Sequence, residues 1–97
     1  MGLQPFLLLF NVMPTYHFTI YSRSYCHLCE DMRDALSAAL GEHAYTIEMV
    51  DIDADPALLA VYDEWVPVLL ASKINAPAVR LCHYFLDKER LAAFLAA

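Results

Sequence analysis

The feature that most constrains this chain is a strand–helix–strand unit packed between Tyr16 and Ile52. Tyr16 to Tyr21 (Tyr-His-Phe-Thr-Ile-Tyr) is rich in aromatic and β-branched residues and alternates approximately, which is the pattern of a strand. Ser22 to Tyr25 reads as a loop. Leu28, Cys29, Met32, Ala35, Leu36, Ala39 and Leu40 then share one helical face, with Glu30, Arg33, Asp34 and Ser37 opposite. Gly41 stands just past the helix end, where a positive φ is tolerated, and Ala44 to Ile52 predicts a second strand. Two strands joined by a helix lie parallel with a right-handed crossover, so half the topology follows from this unit alone.

The remainder completes one layer pattern. Asp55-Pro56 is a helix start, a capping carboxylate followed by a proline where no N–H is needed. Leu58, Leu59, Tyr62 and Trp65 supply that helix with an apolar stripe. Pro67 to Ala71 predicts a third strand, Ser72 to Pro77 a turn, and Ala78 to Tyr84 a fourth strand forming an antiparallel hairpin with the third. Asp87 caps a last helix whose buried face is Leu91, Phe94 and Leu95. The order β-α-β-α-β-β-α predicts an α/β fold: a four-stranded mixed sheet with helices on both faces. With 97 residues, 60% of them hydrophobic and 19% charged, the chain has one core's worth of material. That excludes a disordered chain, a multidomain enzyme and a large barrel. Twelve acidic residues against six basic ones give a net charge of −6, which repels phosphate backbones and argues against a nucleic-acid partner.

Residues 1–14 read as an apolar arm outside the core, and residues 15–97 as the domain. The arm is apolar from Phe6 to Phe10, yet Asn11 and Pro14 interrupt it well short of the roughly 20 apolar residues of a membrane span. The first basic residue is Arg23, so the basic n-region of a secretory signal is missing. Met13 offers an alternative start that would make residues 1–12 a matter of start-site choice. The reading is a cytoplasmic chain, monomeric and without a membrane partner.

The chemistry concentrates at Cys26-His27-Leu28-Cys29, at the junction of the first strand and the first helix. Of the three cysteines, two are spaced three apart, a redox or metal pair of a reducing compartment rather than a disulfide framework. Cysteines at i and i+3 around a helix start place their Cα atoms about 5–6 Å apart, within disulfide reach. The free N–H groups of the first turn stabilise a thiolate at Cys26, which makes it the nucleophile. Cys29, one turn in on the apolar face, is the resolving thiol. A protonated His27 would strengthen the thiolate, and Arg23 is a second cation on the preceding loop. Glu30 and Asp31 act in the opposite sense, and the sequence does not sign the sum. A zinc site would need two further ligands, and the candidates Cys82 and His83 are strand neighbours that point to opposite faces, so no metal is expected.

Tyr21-Ser22-Arg23-Ser24-Tyr25-Cys26-His27-Leu28-Cys29, followed by Trp65-Val66-Pro67-Val68 and Cys82-His83-Tyr84-Phe85-Leu86-Asp87, resembles the thioredoxin-fold proteins, in particular small bacterial glutaredoxin-like proteins. The likeness runs from about Tyr16 to Ala93. It implies a thioredoxin-like fold and thiol–disulfide exchange with a protein or small-molecule disulfide, supported by a thiol reductant. It also implies that Pro67 is a cis proline facing the dithiol, leaving the Val66 backbone free to pair with a substrate strand; an ordinary trans proline opening a strand is the alternative. One departure bears on cofactors. Glutaredoxins carry a Gly-Gly and an acidic residue before the last helix, where glutathione's γ-glutamyl end binds. Here the segment His83 to Asp87 has no glycine, and the basic residue that precedes the dithiol is displaced to Arg23. No cofactor is implied, and glutathione is in doubt.

The expected site is therefore Cys26, Cys29, His27 and Pro67, with Arg23, Tyr25, Trp65 and Val66 as substrate contacts. Trp65 reads equally well as core packing of the second helix, and His83, Tyr84 and Phe85 read as groove lining or sheet packing. Cys82 is either an additional thiol or a small buried hydrophobe. Asp51, Asp53 and Asp55 read as a solvated loop, with Asp55 a cap; His17 and His43 carry no role. Two functions remain open: a dithiol–disulfide oxidoreductase, or a non-catalytic module that docks a protein partner at the proline groove.

Overall fold

The computed structural model describes residues 15–97; the apolar arm at residues 1–14 lies outside the described residues. The chain runs β1 (Tyr16–Ser22), α1 (His27–Leu40), β2 (Tyr45–Asp51), a 3₁₀ turn (Ile52–Ala54), α2 (Pro56–Tyr62), β3 (Val68–Lys73), β4 (Val79–His83) and α3 (Lys88–Ala96). The four strands form one mixed sheet in the order β2-β1-β3-β4. β1 pairs with β2 in parallel from Tyr16↔Tyr45 to Ser22↔Asp51, and with β3 antiparallel from Tyr16↔Lys73 to Tyr21↔Val68. β4 closes the sheet antiparallel to β3, with a register shift between Leu69 and Leu70. This is the thioredoxin-like arrangement expected from the element order.

Strand alternation decides which residues meet which helix. Phe18 and Ile20 of β1 and Leu69 and Ala71 of β3 point to one face, where they pack with Met32, Leu36 and Leu40 of α1 and Leu91 of α3. Met32, Leu36 and Leu40 follow at intervals of four, the spacing that keeps side chains stacked on one side of a helix. Phe94 and Leu95 are half-buried at the edge of this core. Tyr21 points to the opposite face, where its ring stacks on Tyr62 of α2 at 4.5 Å and 24°. The two faces are covered unequally, because α2 spans only Pro56–Tyr62 and buries no residue completely. His17, Thr46 and Glu48 accordingly remain exposed on that side.

Both helix starts expected from aspartates are present. The Asp55 carboxylate accepts hydrogen bonds from the Ala57 and Leu58 N–H groups at 2.9 and 3.4 Å, and Asp87 accepts from Arg90 N–H at 3.0 Å. Gly41 ends α1 at φ +55°, donating its N–H to the Ser37 carbonyl at 3.3 Å.

Five expectations need correction. β3 runs Val68–Lys73 and so takes in Ser72 and Lys73, which read as turn in the sequence. The apolar face of α1 that includes Leu28 and Ala39 is not buried throughout: Leu28 is 39% exposed and Ala39 is exposed, so the buried stripe is the narrower set Cys29, Met32, Leu36 and Leu40. β2 stops at Asp51; Ile52 turns into the 3₁₀ segment, and its side chain is fully buried there. Trp65 does not belong to α2, which ends at Tyr62, because the residue before Pro67 is driven to extended backbone and the chain turns at Asp63 to Trp65 to reach it. β4 ends at His83, since Tyr84 adopts a left-handed φ of +64° and leaves the ladder.

Truncating a residue in the narrow α1 stripe and one beside it separates the two faces. Leu36→Ala is expected to lower the unfolding free energy by about 2–5 kcal/mol, as for a fully buried leucine, and Leu28→Ala by about 1 kcal/mol or less. Urea denaturation of the oxidised proteins measures both, and equal losses would contradict the burial described.

Candidate active site

The site forms where β1 hands the chain to α1. Arg23 to Tyr25 make a short turn, and Tyr25 takes a left-handed φ of +57° that leaves its ring fully exposed beside the helix start. Cys26 is the N-cap of α1, with extended backbone at φ −106° and ψ 102°. Cys26 and Cys29 are joined in a disulfide with Cα atoms 5.2 Å apart. The Cys29 N–H donates to Cys26 Sγ at 3.1 Å, so the sulfur occupies the position a capping oxygen takes elsewhere. Cys29 is 1% exposed, whereas Cys26 is only half-buried. Attack from solvent therefore meets Cys26 first. His27 opens the helix and is exposed.

Arg23 does something other than the sequence suggests. Its Nε and Nη2 donate to both oxygens of Asp53, at 3.2 and 2.7 Å, and its Nη1 donates to Asp63 at 2.7 Å. The hydrogen bond to Asp53 raises the guanidinium pKa still further, so its charge is committed to the two carboxylates rather than free beside Cys26. Ser24 Oγ donates to Asp51 at 3.3 Å, and Asp51 also accepts the Asp53 N–H at 2.9 Å. The acidic ladder is exposed, as read from the sequence, with Asp55 a cap, and its Asp51 and Asp53 additionally anchor the turn before the dithiol. Its sequence signal was available: a lone arginine on one loop and alternate aspartates on the next, brought together by the parallel pairing of β1 and β2.

The second wall comes from the approach to β3. The Val66–Pro67 peptide bond is cis, Pro67 is buried, and its carbonyl accepts the Tyr84 N–H at 2.8 Å. Among the described residues neither the N–H nor the C=O of Val66 takes part in a backbone hydrogen bond. Trp65, 40% exposed, sets its ring edge-on to His83 at 5.2 Å and stacks with Tyr84 at 6.3 Å, with the Arg80 guanidinium 5.8 Å from the indole. The Tyr84 hydroxyl donates to the Glu64 carbonyl at 2.6 Å, tying the end of β4 to the turn before Pro67. Trp65 therefore belongs to an exposed aromatic cluster with β4 and not to the packing of α2. Among the described residues, no group of three or more His, Cys, Asp or Glu side chains is arranged to hold a metal ion.

Cys82 is a free, buried thiol on β4, opposite Leu69, while its neighbour His83 is exposed on the other side. Burial pushes its pKa up, partly offset by a backbone hydrogen bond from Asp87. Folding thus favours the neutral thiol, a contribution that is whole below the unfolded thiol's range of about 8.5 and is lost as pH rises through the folded pKa. Native protein near neutral pH is expected to leave Cys82 unlabelled by iodoacetamide, with labelling growing in alkali and immediate in denaturant. Rapid native labelling of Cys82, read by mass spectrometry, would contradict its burial.

Comparisons with known proteins agree with this architecture. Residues 17–96 match the family model of the glutaredoxin-like domain (DUF836). Protein Ne2328 from Nitrosomonas europaea, solved by NMR, is 33% identical over 84% of this chain and 93% of that one, with a TM-score of 0.71. A crystallised protein from X. campestris is 34% identical over 82% of this chain and 97% of its own, with a TM-score of 0.57. Oxidised mitochondrial thioredoxin 3 from Saccharomyces cerevisiae is 13% identical over 93% and 88% of the two chains, with a TM-score of 0.60, a likeness of fold alone. No functionally curated protein is significantly similar to the chain.

Proposed function

The chain belongs to the glutaredoxin-like domain family, and on that premise we propose that it is a dithiol–disulfide oxidoreductase. The observation that supports this most directly is the pairing of a half-exposed Cys26 at the N-cap of α1 with a fully buried Cys29, bridged by a disulfide. In the reduced protein, the Cys29 N–H at 3.1 Å and the positive end of α1 stabilise a thiolate at Cys26. That thiolate attacks one sulfur of a substrate disulfide R–S–S–R′. A Cys26–S–S–R mixed disulfide forms, and R′–S⁻ leaves and takes up a proton. Cys29, deprotonated, then attacks Cys26 Sγ, the mixed disulfide breaks, and R–S⁻ leaves and is protonated in turn. The substrate has gained two electrons and two protons, and the protein holds the Cys26–Cys29 disulfide. Two equivalents of a thiol reductant restore the dithiol by the reverse exchange.

The other residues take supporting roles in this reading. Pro67 and the unpaired backbone of Val66 form the rail along which an extended substrate segment lies, and Tyr25 and Trp65 give it an aromatic surface. Arg23 acts by holding the turn before Cys26 rather than by touching substrate, and His27 tunes the thiolate. The working unit is residues 15–97, acting as a monomer in the reducing conditions of the cytoplasm. Among the described residues no helix is long and apolar enough to cross a membrane. Glutathione serves at most as a reductant in solution, since the segment His83 to Asp87 lacks the glycines a bound tripeptide would approach.

Single serine variants test the proposal. Cys29→Ser is expected to accumulate a mixed disulfide on Cys26 when given a substrate disulfide, because the resolving step is lost, and Cys26→Ser to lose exchange by a factor of about a hundred or more. Acid-quenched mass spectrometry reads both. Absence of any adduct, with partner binding unchanged in both variants, would leave the non-catalytic docking module in its place.

A further inference from the structure

Leu28, Asp31, Met32 and Ala35 follow at i, i+3, i+4 and i+7, so they form one face of α1. Across from them the segment after β4 brings Phe85 and Leu86, and the two sides enclose a cavity of about 120 Å³ beside the dithiol helix. The rest of its lining is apolar but for Tyr84, whose hydroxyl is already bonded to the Glu64 carbonyl, and Asp31 is the one charged residue in it. This explains why Leu28 remains 39% exposed and Phe85 69% exposed: they are walls of an open hollow, not part of the core.

Asp31 is itself exposed, so its carboxylate stands at the solvent-facing side of this apolar stripe. The helix N-terminus draws acidic residues to its first turn, which explains Glu30, but the effect fades beyond that turn and Asp31 lies past it. Asp31 takes part in no side-chain hydrogen bond or ion pair among the described residues, whereas Asp51, Asp53, Asp55, Asp63 and Asp87 are each engaged. Arg23, the cation nearest in sequence to the dithiol, is already held by two carboxylates. A narrow apolar hollow with one unpaired carboxylate matches one kind of side chain: an aliphatic stem ending in a cation.

We propose that this cavity is a specificity pocket for a lysine or arginine side chain close to the reacting cysteine of a protein substrate. The methylene stem lies against Leu28, Met32, Ala35 and Leu86, and the charged end pairs with Asp31. The inference rests on the dithiol reading above and specifies its substrate class: disulfides in basic segments. The exchange is the one already written, with the basic side chain increasing encounter and residence at Cys26 and not entering the electron balance.

The test uses peptides with one cysteine, as mixed disulfides with 2-mercaptoethanol, carrying lysine, norleucine or glutamate at each of the two positions before and after the cysteine. Norleucine keeps the stem and removes the charge. Each rate with the reduced protein is divided by the rate with dithiothreitol, which removes the intrinsic reactivity of the peptide. At low salt the lysine peptide is expected to react about two- to fivefold faster than the norleucine peptide at one position at least, the size of an exposed ion pair. Glutamate should be slowest. The advantage should vanish in Asp31→Asn, return in Asp31→Glu, and shrink at ~0.5 M salt. A purely structural role of Asp31 would lower all rates together. Hydroxyethyl disulfide, neutral and too small to fill the pocket, reports the dithiol chemistry by itself. If it reacts while lysine shows no advantage, or the advantage survives Asp31→Asn, the pocket assignment is overturned and the oxidoreductase stands. If it does not react with the reduced protein, the oxidoreductase reading falls and the pocket falls with it.

Discussion

The site depends on β1 being paired along both edges. Tyr16 to Ser22 is bonded in parallel to β2 on one side, and Tyr16 to Tyr21 is bonded antiparallel to β3 on the other. A strand held in this way cannot shift register without turning Phe18 and Ile20, both fully buried, to the wrong face. Its end is therefore a fixed point, and Cys26 follows it by four residues. The parallel partner ends at Asp51 opposite Ser22, which brings the acidic loop alongside the turn before Cys26. The antiparallel partner begins at Val68 opposite Tyr21, which brings Val66 and Pro67 to the same end of the sheet. One strand thus gathers three segments that are far apart in sequence.

Electrostatics at this end act in two directions, and distance decides which one matters. The Cys29 N–H in the first turn of α1 is in direct hydrogen-bond contact with Cys26 Sγ, and such a donor stabilises negative charge on sulfur. The surrounding carboxylates disfavour a second negative charge, but those of Asp53 and Asp63 are neutralised in part by Arg23, and all face solvent that screens them. A contact hydrogen bond outweighs screened charges, which is the electrostatic basis of the exchange proposed above. Under the proposed reaction, the surface charge would work on the approach of substrates rather than on the sulfur.

Most of the fold was legible because its signals are periodic or local. The βαβ unit, the Asp55 and Asp87 caps and Gly41 follow from hydrophobic spacing and from residues with a single conformational use. The dithiol was legible for the same reason, since spacing and helix start define it without tertiary knowledge. What the sequence did not reveal is what depends on two segments meeting. Arg23 looks like a free cation until Asp53 and Asp63 are beside it. Trp65 fits a helical stripe until Pro67 forces the chain out of the helix. Leu28 reads as core because i+4 spacing to Met32 does not tell whether a third element covers it. For Arg23 and Leu28 the missing information is how another segment lies against the residue, which no period within one segment encodes; for Trp65 it is the nearby Pro67, a local signal that the helical period masked.

α1 shows how close these two kinds of information lie. Its buried stripe, Cys29, Met32, Leu36 and Leu40, and its cavity face, Leu28, Asp31, Met32 and Ala35, are adjacent and share Met32. The buried stripe anchors Cys29 in the core, while the cavity face opens on the adjoining flank of the same helix. A flexible, unbranched methionine at the shared position can fill the core and still present its flank to a side chain in the hollow. The step between the two faces is about one residue in register, or 100° of helix rotation. The helix therefore cannot roll to enlarge the cavity without withdrawing Cys29 from the core. Discrimination at the pocket has to come from the chemistry of its lining, where Asp31 is the one position that differs in kind from its neighbours.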